Sequence, residues 1–156
     1  MASLRNPSAP AEPPMVSVCT VTHNRRPLLS MLESCLLAQD YPYSRLEWII
    51  VDDSTSGPLP DLHAARQAGI RVVWHEPATR MTLGAKRNLA NSLARGEVIV
   101  VLDDDDFYPP TRIRHAVEAL AATGSQVAGC DRLPLLLLPE CTRWLSRSYG
   151  PDNATA

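Results

Sequence analysis

Four short runs of Val, Ile and Leu recur along this chain: "VSVCTV" at 16–21, "LEWIIV" at 46–51, "IRVVWHE" at 70–76 and "VIVVL" at 98–102. Runs this continuous lack the in–out alternation of a sheet with one wet face. They suit strands covered by helices on both sides. Segments with apolar residues at helical spacing separate them. This order predicts an α/β fold, Rossmann-like, with a mainly parallel central sheet, helices on both faces and right-handed crossovers.

The intervening segments carry their own signals. Pro27 suits a first helical turn, and Leu28, Leu32, Cys35 and Leu36 repeat one turn apart, which predicts a helix over 27–38. "DYPYS" breaks it. A short helix over 61–68 is closed by Gly69, and "TLGAKRNLANSLARG" at 82–96 reads as a helix with Gly96 past its end. Pro109 and Pro110 open another, with Ile113, Val117 and Leu120 on one face and Gly124 closing it. "QVAGC" at 126–130 reads as a fifth strand, and "LPLLLLPE", bounded by prolines, as a sixth. Trp48 and Trp74 fall inside strands and read as core.

Composition removes several function classes. The net charge of −2 and the isoelectric point near 6.1 give no basic surface for nucleic acid. No apolar run approaches the roughly 18 to 20 residues needed to span a bilayer. "MASLRNPSAPAEPP" is Pro-rich and has no apolar core of a secretory signal. Cysteines 19, 35, 130 and 141 form no C-x-x-C pair, so they read as reduced thiols in a cytoplasmic compartment rather than a zinc site. His23, His63, His75 and His115 show no metal spacing, and the "NAT" at 153–155 is a sequon by pattern only.

In open α/β sheets ligands bind beyond the carboxyl ends of the strands. Strand 1 ends at Thr22-His23-Asn24-Arg25, strand 2 at Asp52-Asp53-Ser54 and strand 4 at Asp103-Asp104-Asp105-Asp106, so all three sets reach one edge. Two carboxylates about 4 Å apart repel by roughly 4 kcal/mol at an effective dielectric of about 20. A divalent cation removes that repulsion, and carboxylate oxygens are hard ligands that suit Mg2+ or Mn2+. The four aspartates therefore read as a metal site for a phosphorylated ligand; alone, they could equally be a solvated loop capping the helix at Pro109. Lys86 and Arg87, in the first turns of the preceding helix, could balance a diphosphate or lie on a solvated face. "DDS" at 52–54 could accept from a base or ribose, or form only an Asx-turn.

Taken in order, these segments resemble family 2 glycosyltransferases of GT-A fold. "VSVCTVTHNRRPLLSMLESCLLAQDYP…LEWIIVDDST" is similar to that family's opening, and "LGAKRNLANSLARGEVIVVLDDDDFYPP" to its second half-motif with D-x-D. The resemblance covers roughly 16 to 120. It implies a nucleotide-diphosphate sugar donor and a divalent metal, Mn2+ or Mg2+. Thr22, Asn24 and Arg25 match the first nucleotide-contacting turn, Asp52 and Asp53 the acidic pair at base and ribose, and Gly84, Arg87 and Asn88 the second nucleotide-side segment, with Lys86 beside it. Asp103 and Asp105 match the D-x-D pair, with Asp105 the first choice of metal ligand and Asp104 and Asp106 in support. His23 stands where the family has an aromatic residue, and Asp104 where it has a small one.

The expected organisation is a flexible lead-in over 1–14, a nucleotide-sugar-binding domain over 15–132 and a C-terminal strand and tail over 133–156. The family's acceptor half and general base lie beyond the matched segment, and Asp131, Glu140 and Asp152 are isolated, so the fold reads as truncated at its C-terminus. The expected activity is metal-dependent, inverting glycosyl transfer to a glycan, lipid or protein acceptor. The alternative is a nucleotide-sugar-binding module without its own turnover, completed by a second copy or a partner chain. A receiver-like or phosphatase-like domain would need its key aspartate where this chain has Thr22.

Overall fold

A computed structural model describes residues 12–130, 134–137 and 142–146. The chain divides into two compact units, one ending at Pro110 and the other starting at Thr111.

The first unit holds a four-stranded parallel sheet: β1 (Val16–Thr22), β2 (Leu46–Asp52), β3 (Arg71–His75) and β4 (Val98–Val101), in the order β3-β2-β1-β4. All seven residues of β1 and of β2 are buried. Three helices connect the strands: α1 (Leu29–Leu37), α2 (His63–Gln67) and α3 (Leu83–Leu93). The chain steps from β1 to β2 to β3 in one direction, then crosses back past β1 to β4. With right-handed crossovers, α1 and α2 cover one face and α3 the other. On the α3 face, Cys19 and Val21 of β1 and Ile49 and Val51 of β2 pack with Ala90. Leu29, Leu32 and Leu36 of α1 are fully buried, and Glu33 accepts from the Ala65 amide at 2.9 Å, which ties α1 to α2. Winding reverses between β1 and β4, so the crevice at their carboxyl ends is the switch point where ligands of open sheets bind.

The first helix differs from the expected 27–38. A 3-10 turn at Arg26–Leu28, with Pro27 in it, precedes α1. Proline suits such a first turn because it has no N–H to satisfy. α2 starts at His63 rather than 61, since the Asp61 carboxylate takes the His63 amide at 3.0 Å. Gly69, at φ +94, closes it as expected. α3 ends at Leu93, short of Gly96, and Gly96 has a different task. A Cβ there would lie 2.6 Å from the Ser17 amide nitrogen and 2.8 Å from the Met15 carbonyl, so its lack of a side chain lets the chain enter β4 hard against β1. Beside it, the buried Glu47 accepts from the Ser17 hydroxyl and the Arg95 amide, both at 2.6 Å, and pairs with Arg71.

The second unit contains α4 (Arg112–Thr123), capped by Gly124 at φ +64, and an antiparallel pair, β5 (Pro134–Leu137) and β6 (Thr142–Leu145). The fifth strand expected at 126–130 does not form; only Cys130 makes an isolated bridge, and Val127 is exposed. With Gly129 offering no side chain, that run has too little apolar surface to hold a strand. β6, "TRWL", was not anticipated, because four residues with a central Arg carry little strand signal. The expected lead-in falls largely outside the described residues. Among the described residues, no helix is long and apolar enough to cross a membrane.

Candidate functional site

The carboxyl edge of the sheet carries the predicted residues in two layers. The inner layer is buried and internally paired. Thr22, the last residue of β1, donates its hydroxyl to Asp104 Oδ2 at 2.6 Å. Asp52, the last residue of β2, takes Arg26 Nε on Oδ2 at 2.5 Å and the Ser54 amide on Oδ1 at 2.9 Å. Asp53 takes Lys86 Nζ on Oδ1 at 2.7 Å and the Met81 amide on Oδ2 at 2.8 Å. Lys86 also donates to the Thr22 carbonyl at 2.9 Å. Asp52 and Asp53 thus each have a buried cation of their own, which offsets the cost of burying them.

Burial pushes the Asp53 carboxyl up, but Lys86, the Met81 amide and His23 outweigh it, and the group sits below the usual carboxylate range. His23 Nδ1 lies 3.0 Å from the Asp53 carbonyl and 3.1 Å from Oδ1. Both are acceptors, so that nitrogen carries a proton, and Nε2 faces Asn24 Nδ2 at 3.2 Å.

Asp104 is the exception. Burial, aided by Asp105 and Asp103, raises its carboxyl above the ordinary value despite Thr22 and Arg25. Its Oδ1 lies 2.9 Å from Arg25 Nη2 yet has no aligned hydrogen bond.

The outer layer is solvent-facing. Asn24, at φ +54, Gly84, Arg87 and Asn88 are exposed, as are Asp105 and Asp106. Arg25 Nη1 pairs with Asp105 at 2.5 Å, and Arg87 Nη2 with Asp103 at 3.2 Å. Partial desolvation and the neighbouring Asp105 and Asp103 raise the Asp106 carboxyl. The Tyr108 hydroxyl accepts the Asp103 amide at 2.7 Å, which turns the chain after β4.

Among the described residues, no three His, Cys, Asp or Glu side chains converge as a ready metal-donor set. The chemistry available is nonetheless all oxygen: two outward carboxylates, and a buried carboxylate oxygen without an aligned donor between them in sequence. Carboxylate oxygens are hard ligands, the donor type that Mg2+ and Mn2+ take.

Two supports escaped the sequence reading. Gln39 and Asp40, where the first helix gives way to "DYPYS", hold the loop that follows the aspartates: Gln39 Nε2 donates to the Pro109 carbonyl and the Asp40 amide to the Pro110 carbonyl, each at 2.9 Å. Arg26 is the other. Its neighbour Arg25 points outward, whereas Arg26 is buried and lines a cavity of about 340 Å3 with Asn24, Pro27, Ser30 and Gly57. An arginine pair opening a strand–helix turn was the available signal.

Comparison with known proteins agrees with this fold. The family model described as glycosyl transferase family 2 matches residues 17–134. The succinoglycan biosynthesis protein ExoO of Rhizobium meliloti is 31% identical over 134 residues, covering 85% of this chain and 37% of that protein. Among solved structures, S. aureus TarS 1-349 superposes with a TM-score of 0.63 at 26% identity, over 71% of this chain and 33% of TarS 1-349. The mannosyltransferase PcManGT of Pyrobaculum calidifontis, in complex with GDP-Man and Mn2+, gives 0.58 at 27%, over 81% and 38%. The chain spans a little over a third of the length of the curated relative. With the ordered motifs, the parallel sheet and the family match over most of its length, the chain belongs to glycosyl transferase family 2 and has the GT-A type of fold.

Proposed function

We propose that this chain is the donor-binding part of a glycosyltransferase that takes a nucleotide-diphosphate sugar together with Mn2+ or Mg2+. The observation that carries the reading is the outer layer at the switch point, where Asp103 and Asp105 stand beside Arg25 and Arg87. Oxygen ligands for a hard cation and guanidinium groups for phosphate are thereby offered together. The PcManGT complex with GDP-Man and Mn2+ supports the same pairing of ligands.

In this reading Asp105 and Asp103 would hold the cation, which would supply positive charge for the departing diphosphate. Arg25 and Arg87 bind the phosphate oxygens. Asn24, His23, Gly84 and Asn88 border the nucleoside side, and the buried Thr22, Asp53, Lys86 and Asp104 keep that surface in place. An acceptor hydroxyl on a glycan, lipid or protein attacks the anomeric carbon from the face opposite the diphosphate, its proton passing to a general base as the bond from that carbon to the diphosphate oxygen breaks, with inversion.

Calorimetric titration of uridine and guanosine diphosphate with and without Mn2+ tests the reading. Metal-enhanced binding of at least one, abolished in Asp105→Ala, is expected. Failure of both to bind, or binding indifferent to Asp105→Ala, overturns it.

A further inference from the structure

Arg25 and Arg26 are adjacent in sequence but opposite in fate: the Arg25 side chain is 48% exposed and that of Arg26 10%. The buried guanidinium reaches three segments. Nε donates to Asp52 Oδ2 at the end of β2, Nη1 to the Gly57 carbonyl in the following loop, and Nη2 to Glu76 just past β3, each at 2.5 Å. Its carbon lies 5.9 Å from the centre of the Trp74 ring. Lysine could neutralise Asp52 but could not serve three directions with a planar fork.

The contacts continue beyond Asp52. Its Oδ1 takes the Ser54 amide and the Ser54 hydroxyl. That hydroxyl oxygen in turn accepts the Asn24 amide at 2.7 Å, and Asn24 Oδ1 accepts the Thr55 amide at 3.1 Å. Asn24 has φ +54, a conformation costly for residues other than glycine and persisting where the surroundings fix it. The next residue is Arg25, which meets Asp104 and Asp105. A continuous chain of hydrogen bonds therefore runs from the end of β3 to the turn that presents Arg25.

We propose that Arg26 is a positioning residue for nucleotide binding, acting through Asp52 and Ser54 to hold Asn24 in its left-handed turn. The proposal rests on the donor-binding reading above. It also assigns Asp52 a different task from base or ribose contact: its side chain is fully buried, and both its oxygens are used within the relay.

The test combines uridine and guanosine diphosphate titrations in Mn2+ with hydrogen exchange at the Asn24 and Thr55 amides. The variants are Arg26→Met, Arg26→Lys, Asp52→Asn and the Arg26→Met/Asp52→Asn pair. Each single change should weaken both nucleotides by one common factor, roughly 10- to 100-fold, and speed exchange at both amides. The pair should be no weaker than either alone, and Arg26→Lys should not restore affinity. Losses that add, unchanged affinity in Arg26→Met, or an altered preference between the two nucleotides in Asp52→Asn would overturn the relay. If Arg26→Met does not fold, Ser54→Ala cuts the same chain without stranding a charge, and the same outcomes decide. A wild-type chain that binds neither nucleotide fails the donor reading, which is distinguishable because exchange at Asn24 reports the relay without ligand.

Discussion

The Thr22 hydroxyl and Asp104 Oδ2 meet at 2.6 Å across 82 residues of sequence, joining the ends of β1 and the β4 loop at the point where the sheet reverses its winding. Both residues are buried, and Thr22 is the aligned hydrogen-bond donor to a carboxylate that burial already penalises. Thr22→Val keeps the shape and removes the donor. Leaving a buried acceptor unmet costs about 1–3 kcal/mol, so denaturant unfolding should show a loss of that size. Thr22→Val combined with Asp104→Ala should lose less than the two single changes summed.

Arg25 and Arg87 compete with any cation for Asp105 and Asp103. Half-exposed pairs of this kind are worth roughly 1 kcal/mol or less. Arg25→Ala should therefore tighten Mn2+ binding in the absence of nucleotide by a few-fold, while weakening nucleotide diphosphate binding in its presence. Calorimetry of the two titrations separates these opposite signs; a fall in both would show that Arg25 does not shield the carboxylates.

Glu47 gives the acid limb of the stability curve. Burial pushes its carboxyl up, but the Ser17 hydroxyl, the Arg95 amide and Arg71 outweigh it and hold it below its ordinary 4.5. A lowered folded value means the stabilisation is fully present above the unfolded value and disappears as pH falls through the folded one. Glu47→Gln should destabilise at pH 7 by about 2 kcal/mol or more. The gap from wild type should close below pH 4.5, measured by denaturation at stepped pH.

Gly96 and Gly84 should respond in opposite ways to alanine. At Gly96 the new methyl meets backbone atoms at 2.6 and 2.8 Å, and overpacking of this kind costs about 1–3 kcal/mol. At Gly84, inside α3, nothing lies within 4 Å of a Cβ. Alanine there should leave stability unchanged or raise it by up to about 1 kcal/mol. Thermal unfolding of both variants checks the pair.

The sheet was legible because β1, β2, β3 and β4 are near-continuous apolar runs, and their polar ends marked the edge where a site was expected. Side-chain direction was not legible. Asp52, Asp53 and Asp104 read like ligand contacts at strand ends, yet they turn inward because Arg26, Lys86 and Thr22 lie 26, 33 and 82 residues away in sequence and meet them only after folding. Arg26 could not be told from Arg25 for the same reason. The run at 126–130 has strand-like residues only at Val127 and Ala128 before Gly129, too few to hold a strand, whereas "TRWL" forms a strand through its pairing with β5 rather than through its own composition.

The two-layer arrangement has a consequence for how sequence change at this site would be tolerated. Substitutions at Asn88, Arg87 or Asp105 alter groups that face water, so under the proposed donor reading they would change what is bound while the fold persists. Those at Asp53 or Lys86 strand a buried charge, so their first effect would fall on stability. A library meant to alter donor choice should vary the first set and freeze the second, and its survivors would report recognition rather than stability.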